Sequence, residues 1–165
     1  MLFYEALGIE PALSIDSDDL KKRFYERSRT WHPDRFTRAS SAEQEKALEM
    51  TAVLNDAFRT LRDPVSRAEY FLKEKGIELS KEAPPELLEE VFELNMALEE
   101  LKEGDESARP QLVEARGRFV GMRDEIDRSL AEAGARLDLE DVRALLNRRR
   151  YVRNLIREVE NVLPN

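Results

Sequence analysis

The sequence contains no cysteine and a single histidine among its 165 residues. The absence of cysteine excludes disulfide bonds, thiolate metal sites and cysteine nucleophiles. One histidine cannot form a multi-histidine metal site, and the chain has no glycine-rich loop of the kind that binds phosphate. The composition therefore predicts no metal, no cofactor and no catalytic centre on this chain.

Long apolar runs and strand-forming runs are also missing. No apolar stretch approaches the ~18 residues that a membrane helix needs. The first residues, Met1-Leu2-Phe3-Tyr4-Glu5, lack the basic segment and long apolar core of a signal peptide. We therefore expect a cytoplasmic protein with no membrane span. Glu, Leu, Ala and Arg dominate, whereas runs of Val, Ile and Thr are scarce, which predicts an all-α fold.

Charge is distributed unevenly along the chain. The net charge is −8, which disfavours nucleic acid as the main partner. Basic side chains nevertheless outnumber acidic ones in residues 20–38, residues 82–106 are strongly acidic, and residues 143–157 hold six arginines and no acid. This asymmetry predicts oriented docking on other proteins or internal charge pairing. A nucleic-acid binder that uses the arginines of residues 143–157 is an alternative.

The first part of the chain is predicted to form short helices with clear boundaries. An apolar turn near the start ends at Gly8. Ser17 is expected to cap a second helix, whose basic residues lie mostly away from its apolar face. Pro33 ends this helix and pushes the preceding residue, His32, out of helical geometry.

A long helix and a shorter one follow. Ser40 and Glu43 form a capping box, after which apolar residues recur at helical spacing. Asp63-Pro64 begins the next helix, which runs to about Lys75 and ends at Gly76. The apolar stripe of the long helix consists of Ala47, Met50, Leu54, Ala57 and Leu61.

The second part of the chain predicts a helical bundle. Residues 77–85 carry charges and two prolines with little periodicity, and are expected to be a linker. Helices are then expected at about residues 86–103, 110–133 and 138–163. Their short connections imply an antiparallel three-helix bundle over residues 86–165.

Two features of the bundle are expected to have a structural role only. Gly117 and Gly121 lie four residues apart and are expected to let two helices approach closely. The run Arg148-Arg149-Arg150 is expected to be a solvated face or to pair with glutamates of the bundle.

The tripeptide His32-Pro33-Asp34 lies in the break between a basic helix and the long helix. Pro33 makes the exposed loop rigid, Asp34 offers a carboxylate to an arginine of a partner, and His32 can hold the loop by hydrogen bonding. The basic helix would then meet an acidic surface. The alternative is a solvated loop histidine next to a solvated basic face.

This layout resembles a J-domain, with a short helix, a basic helix, a His-Pro-Asp loop and a long helix over residues 1–76. The resemblance implies that the loop signals a DnaK-type chaperone to hydrolyse ATP and that the chain performs no chemistry itself. The residues implied in chaperone binding are Lys21, Lys22, Arg23, Arg27, His32, Pro33, Asp34 and Arg35.

A narrower resemblance extends over nearly the whole chain. The chain is similar to the HscB family of co-chaperones in three respects. Its J-domain opens with Phe3-Tyr4 and Leu7-Gly8, it contains the characteristic stretch from Asn55 to Tyr70, and a short helical domain follows. Generic J-proteins continue into a Gly/Phe-rich linker, which is absent here. The resemblance implies two partners, an HscA-like chaperone and an IscU-like scaffold protein on which iron–sulfur clusters are assembled.

The helix of residues 86–103 carries two apolar faces. Leu88, Phe92 and Met96 step by four residues and lie away from the stripe that would face the core, which consists of Leu87, Val91, Leu94, Leu98 and Leu101. We expect this second face to be exposed and rimmed by glutamates, as docking sites are. The alternative is that it packs on the J-domain or on another helix.

In the HscB family the corresponding face binds the scaffold protein. The residues that the resemblance implies are Leu88, Phe92, Glu93, Met96, Glu100 and Tyr151. We expect a monomeric adaptor with no nucleic-acid or membrane partner. Two alternatives from other classes are a generic J-protein with a different client and an enzyme that uses His32 with Asp34 as an acid–base pair.

Overall fold

A computed structural model describes residues 1–133, 136 and 138–163 of the chain. The regular elements of these residues are all helices, so the predicted all-α fold is confirmed. The chain divides into two compact units, of which the first is built on Met1–Ile77 and the second begins at Glu78.

The first unit contains four α-helices. These are α1 (Leu2–Leu7), α2 (Ser17–Trp31), α3 (Ser41–Arg62) and α4 (Pro64–Glu74). Helices α1, α2 and α4 all pack against α3, which is the longest of the four. Most of the predicted stripe of α3 is buried, with Met50 only partly so, and it meets the buried side chains Tyr4, Leu7, Leu20 and Leu72.

Side-chain caps fix where these helices begin. Asp16 caps α2 by accepting hydrogen bonds from the backbone N–H groups of Asp18 and Asp19, so the prediction that Ser17 caps this helix is wrong by one residue. The carboxylate of Asp16 satisfies two free N–H groups and carries the charge that the helix dipole favours there. The predicted cap of α3 is confirmed, because the Ser40 hydroxyl accepts from the N–H of Glu43.

A buried arginine closes the first unit. Arg67 donates from Nε to the Leu13 carbonyl at 2.8 Å and from Nη1 to the Leu61 carbonyl at 2.9 Å. The Leu61 carbonyl lies in the last turn of α3 and has no partner within that helix. Burial lowers the pKa of the Arg67 guanidinium, and the nearby Tyr4 and Asp63 oppose this shift.

The second unit contains three further α-helices, namely α5 (Leu88–Lys102), α6 (Arg109–Ala133) and α7 (Leu139–Val162). Helices α6 and α7 pack along most of their length, and α5 lies against both. The bounds differ from the predicted ones by a residue or two. The core contains Leu87, Leu112, Phe119, Val142, Val152 and Val159.

Three side chains of α7 hold the segment that precedes α5. Arg143 Nε donates to the Glu78 carbonyl at 2.7 Å, Arg150 donates to the Ser80 carbonyl, and the Tyr151 hydroxyl donates to the Lys81 carbonyl at 2.5 Å. We call residues 78–81 the strap. The strap falls within the stretch expected to be a linker, but its backbone is bonded to the bundle.

The arginine run of α7 makes internal contacts. Arg149 pairs with Asp127 of α6, with 2.5 Å between Nε and Oδ1, and Arg150 bonds to the strap. The expected pairing partners were glutamates, whereas the partners found are an aspartate and a backbone carbonyl. The run thus contributes to the internal structure of the second unit.

The glycines of α6 do not have the expected role. A Cβ atom added at Gly117 or Gly121 would meet no heavy atom within 4 Å. Both glycines are exposed. The prediction that they allow close approach of two helices is therefore wrong, because no neighbouring element of the described chain lies against them.

Candidate interaction surfaces

The His-Pro-Asp loop is a tight turn between α2 and α3. His32 ends α2 in an extended conformation, with φ −58° and ψ 129°, and Pro33–Phe36 form one turn of 3₁₀ helix. The Nδ1 atom of His32 accepts a hydrogen bond from the Asp34 N–H at 3.2 Å. This bond lets the His32 side chain cap the 3₁₀ turn that follows it.

The carboxylate of Asp34 is presented to solvent. Its side chain is 89% exposed, and its Oδ2 lies 3.6 Å from His32 Nδ1. Within the described part of the chain, Asp34 forms no ion pair with a lysine or arginine. The carboxylate is therefore available to accept a guanidinium from another protein.

Aromatic stacking and two polar residues of α3 hold this turn. The rings of Trp31 and Phe36 stack with 5.9 Å between centroids. Gln44 donates from Nε2 to the Phe36 carbonyl at 2.9 Å. The Thr51 hydroxyl is shared between the Ala47 carbonyl of its own helix, at 2.8 Å, and the Trp31 carbonyl, at 3.2 Å. Sequence reasoning missed Gln44 and Thr51, because a bond from a side chain to a distant carbonyl leaves no periodic signal.

Two basic residues of α2 lie against the end of α1. Arg23 donates from Nη1 to the Gly8 carbonyl at 2.6 Å and pairs with Asp19, and the Arg27 guanidinium lies where a Cβ at Gly8 would be. These contacts join α2 to the end of α1. Lys21, Lys22 and Arg27 are exposed along α2, and Arg35 is exposed within the loop, so positive charge extends from the helix into the loop.

An exposed apolar ridge runs along α5. The exposed fractions of its three side chains are 55% for Leu88, 65% for Phe92 and 50% for Met96, so the predicted exposure of this face is confirmed. They follow one another at intervals of one helical turn. We call these three residues the ridge.

The opposite face of α5 is less regular than predicted. Leu87, Leu94 and Ala97 are buried, whereas Val91, Leu98 and Leu101 are only half-buried. Ala97 was not part of the predicted core stripe, and its small side chain faces the cavity between α5 and α6.

Glutamates lie along one flank of the ridge. At 100° per residue, Glu89, Glu93 and Glu100 share the side of α5 that turns toward α6. Glu89 and Glu93 are exposed and Glu100 is half-buried. The ridge is therefore bordered by negative charge mainly on the side of α6.

Tyr151 belongs to the same unit as the ridge and is fixed by the strap. Its hydroxyl bonds to Lys81, as described above, and the Arg150 guanidinium lies 5.5 Å from the centre of its ring. These contacts connect Tyr151 to the segment that leads into α5.

No helix of the described residues has the length and hydropathy needed to cross a membrane. Across the same residues, His, Asp and Glu side chains nowhere gather in a group of three or more that could hold a metal ion.

Two family profiles match consecutive parts of the chain. A DnaJ domain profile matches residues 2–70, and a profile described as the HSCB C-terminal oligomerisation domain matches residues 83–160.

Individual relatives match over most or all of the chain. The co-chaperone protein HscB homolog of Neisseria meningitidis serogroup B is 31% identical over 170 residues, which cover 98% of each chain. The homolog from Shewanella halifaxensis is 36% identical over 110 residues, or 64% of this chain and 63% of the other. Both the first unit and the second therefore have counterparts in one and the same kind of protein.

Solved structures agree with this match. Chaperone HscB from Vibrio cholerae superposes with a TM-score of 0.65 at 29% identity, covering 98% of this chain and 97% of that one. The crystal structure of human co-chaperone protein HscB gives a TM-score of 0.69 at 26% identity, covering 99% and 83%.

Proposed function

Because this chain belongs to the HscB family of J-domain co-chaperones of iron–sulfur cluster assembly, we propose that it stimulates the ATPase of an HscA-like chaperone and delivers an IscU-like scaffold protein to it. The observation that carries this proposal is that one chain exposes two surfaces of different chemistry. One is the turn at His32-Pro33-Asp34 beside basic side chains, and the other is the apolar ridge of α5.

The first surface suits an acidic partner with an arginine. The Asp34 carboxylate accepts that arginine, Pro33 keeps the turn rigid, and His32 caps it. Contacts to the chaperone are assigned to the basic side chains Lys21, Lys22, Arg23, Arg27 and Arg35. Arg23 supports this face by joining α2 to the Gly8 turn.

The second surface suits an apolar patch of the scaffold protein. The side chains of the ridge lose their exposed area on docking, which is favourable by ~25 cal/mol per Å² before the costs of association. Glu93 and Glu100 border the contact and select its orientation. Tyr151 contributes from α7, where its hydroxyl is held by the strap.

An adaptor needs no catalytic group of its own. Holding the chaperone and the scaffold protein on one chain converts their encounter into an intramolecular event at a high effective concentration. Stimulation of ATP hydrolysis and presentation of the scaffold protein are therefore expected to be synergistic.

The proposal is tested by steady-state ATP hydrolysis of the cognate DnaK-type chaperone, with and without the scaffold protein. We expect the wild-type chain to stimulate hydrolysis, His32→Gln to abolish stimulation, and Phe92→Ala to retain stimulation but lose the synergy with the scaffold.

Other outcomes separate the alternatives. Stimulation without any effect of the scaffold protein would identify a generic J-protein that carries a different client. Equal rates with wild type and His32→Gln would contradict the assignment of the loop.

A further inference from the structure

A cavity of about 170 Å³ lies between α5 and α6, beside the acidic flank of the ridge. Its walls contain apolar groups from both helices, including Leu94 and Ala97 of α5 and Phe119 of α6. These three side chains are buried and belong to the core of the second unit. The floor of the cavity is therefore formed by apolar side chains of the core.

The rim of the cavity is polar and mainly negative. Glu90 and Glu93 contribute from α5, and Glu114 and Arg118 contribute from α6. Arg118 pairs across the rim with Glu90, with 3.2 Å between Nη2 and Oε2. Among the described residues, neither Glu93 nor Glu114 forms an ion pair, so two carboxylates at the mouth have no cationic partner.

We propose that this cavity is a subsite for one lysine or arginine side chain of the scaffold protein, adjacent to the ridge. The inference rests on the proposed function, because it takes the scaffold protein as the occupant of the ridge. It adds helix α6 to a docking surface that otherwise uses α5 and Tyr151 of α7, and it assigns Glu114 a direct contact.

The chemistry of the cavity selects this occupant. A lysine or arginine combines an apolar stem with a cationic head, so the stem covers the apolar floor while the head reaches the carboxylates at the rim. An acidic side chain would face Glu93 and Glu114 with like charge. A purely apolar side chain would leave the two carboxylates partly desolvated without a partner.

The position of Glu93 makes the cavity continuous with the ridge. Glu93 lines the cavity and follows Phe92 directly on α5. A partner that covers Phe92 therefore passes over the mouth of the cavity, and a basic side chain there fixes its orientation relative to α6.

The test compares the affinity of the full chain and its variants for the purified scaffold protein by calorimetry at low and physiological salt. Glu114 is exposed, so Glu114→Gln preserves shape and removes only the charge. We expect this variant to weaken binding roughly 5- to 10-fold at low salt, with a smaller loss as salt rises. Ala97→Leu, which fills the cavity without changing charge, is expected to weaken binding as well.

Glu125→Gln is the matched control. Glu125 is an exposed glutamate on α6, eleven residues and thus about 16 Å further along the helix. We expect less than about a twofold change. Equal losses for Glu114→Gln and Glu125→Gln would show a general electrostatic effect and overturn the subsite, as would unchanged binding of Glu114→Gln.

Phe92→Ala separates the subsite from the function on which it rests. If Phe92→Ala fails to weaken binding, the scaffold assignment of the ridge is wrong. If Phe92→Ala weakens binding and Glu114→Gln does not, only the subsite is wrong. A double-mutant cycle then combines Glu114→Gln with individual Lys→Ala or Arg→Ala changes in the scaffold protein. The basic residue whose effect on the binding free energy is not additive with that of Glu114→Gln is the inserted side chain.

Discussion

Arg67 has only 6% of its surface exposed and carries a formal charge into the interior of the first unit. Its two hydrogen bonds reach the loop after α1 and the last turn of α3, which lie 54 and 6 residues away in sequence. The side chain therefore connects two parts of the chain that no backbone hydrogen bond joins. Its guanidinium geometry suits this role, because it can donate in two directions at once.

Replacing Arg67 by methionine is expected to lower the free energy of unfolding of the first unit by about 2–4 kcal/mol. The substitution keeps most of the volume but leaves the buried Leu61 carbonyl and the partly buried Leu13 carbonyl without donors, each of which costs about 1–3 kcal/mol. Urea denaturation followed by fluorescence of Trp31, the single tryptophan, measures this unit. Arg38→Met, at an exposed position, serves as the control, and equal stabilities of the two variants would contradict the role of Arg67.

Tyr4 is fully buried, and its hydroxyl donates to the Ala12 carbonyl at 2.8 Å. Burial raises the pKa of Tyr4 from 10.0 to about 12, and the charge of Arg67 partly opposes this shift. A raised pKa means that the folded state holds the proton more tightly than the unfolded state. The resulting stability is fully present below pH 10 and is lost as the pH rises from 10 toward 12.

The substitution Tyr4→Phe isolates this effect. Below pH 10 the wild type is expected to be more stable by about 1 kcal/mol, because the variant loses the hydrogen bond to Ala12. Above pH 10 this difference is expected to shrink, since only the wild type must keep a buried phenol protonated. Urea denaturation at several pH values from 8 to about 11.5 measures the difference. A constant difference over this range would argue against the raised pKa.

The sequence predicted the exposed tripeptide but not the residues that hold it. Pro33 and its neighbours form a local pattern, and local patterns are readable from one sequence. Gln44, Thr51 and Arg67 act instead on carbonyls that become neighbours only after folding. Their residue types are common on any helix, so nothing in the sequence distinguishes them from solvated polar side chains.

At the scale of elements, α6 contains two exposed glycines within its length. A glycine inside a helix costs roughly 0.5–1 kcal/mol relative to alanine, because it loses more backbone freedom on folding. Gly117 and Gly121 have open space where a Cβ would lie. Within the described part of the chain, neither position gains a packing contact that would offset this cost.

Gly117→Ala and Gly121→Ala are each expected to raise the free energy of unfolding of the second unit by about 0.5–1 kcal/mol. Hydrogen exchange of the α6 amides in the full chain measures the local effect. Because the ridge and the cavity do not include these glycines, scaffold binding is expected to be unchanged. Slower exchange together with weaker scaffold binding would place a partner directly on this face of α6.

The two faces of α5 show what periodicity can and cannot predict. The four-residue spacing of the ridge predicted that its side chains lie on a different face from the core stripe, and all three are exposed in the structure. The core stripe was predicted less well, since Ala97 is buried while Leu98 and Leu101 are half-buried. Periodicity gives the direction of a face, whereas burial depends on where the neighbouring helices lie.

At the scale of the whole molecule, each unit has its own hydrophobic core. Tyr4, Leu54 and Leu72 lie in the first, and Leu112, Phe119 and Val152 lie in the second. The loop with Asp34 belongs to the first unit, and the ridge with the cavity belongs to the second. We therefore expect the two proposed activities to be separable and their synergy to depend on the covalent link.

A fragment of residues 1–77 is expected to fold and to stimulate the chaperone ATPase without any synergy with the scaffold protein. Addition of a separate fragment that begins at Glu78 is expected not to restore the synergy, because the two activities no longer share one chain and the effective concentration is lost. Circular dichroism checks folding of each fragment, and ATP hydrolysis gives the result. Full synergy from the mixed fragments would show that the covalent link is not required.

The strap also affects how a protease can cut the first residues of the second unit. Lys81 is exposed and is a residue after which trypsin cuts, but its carbonyl belongs to the bond to be cleaved and accepts a hydrogen bond from Tyr151. A protease must draw the backbone into an extended conformation in its own cleft, which would break the bonds from Arg143, Arg150 and Tyr151. We therefore expect trypsin to cut slowly after Lys81, although the sequence around it is typical of a flexible linker, because its backbone is hydrogen-bonded to α7.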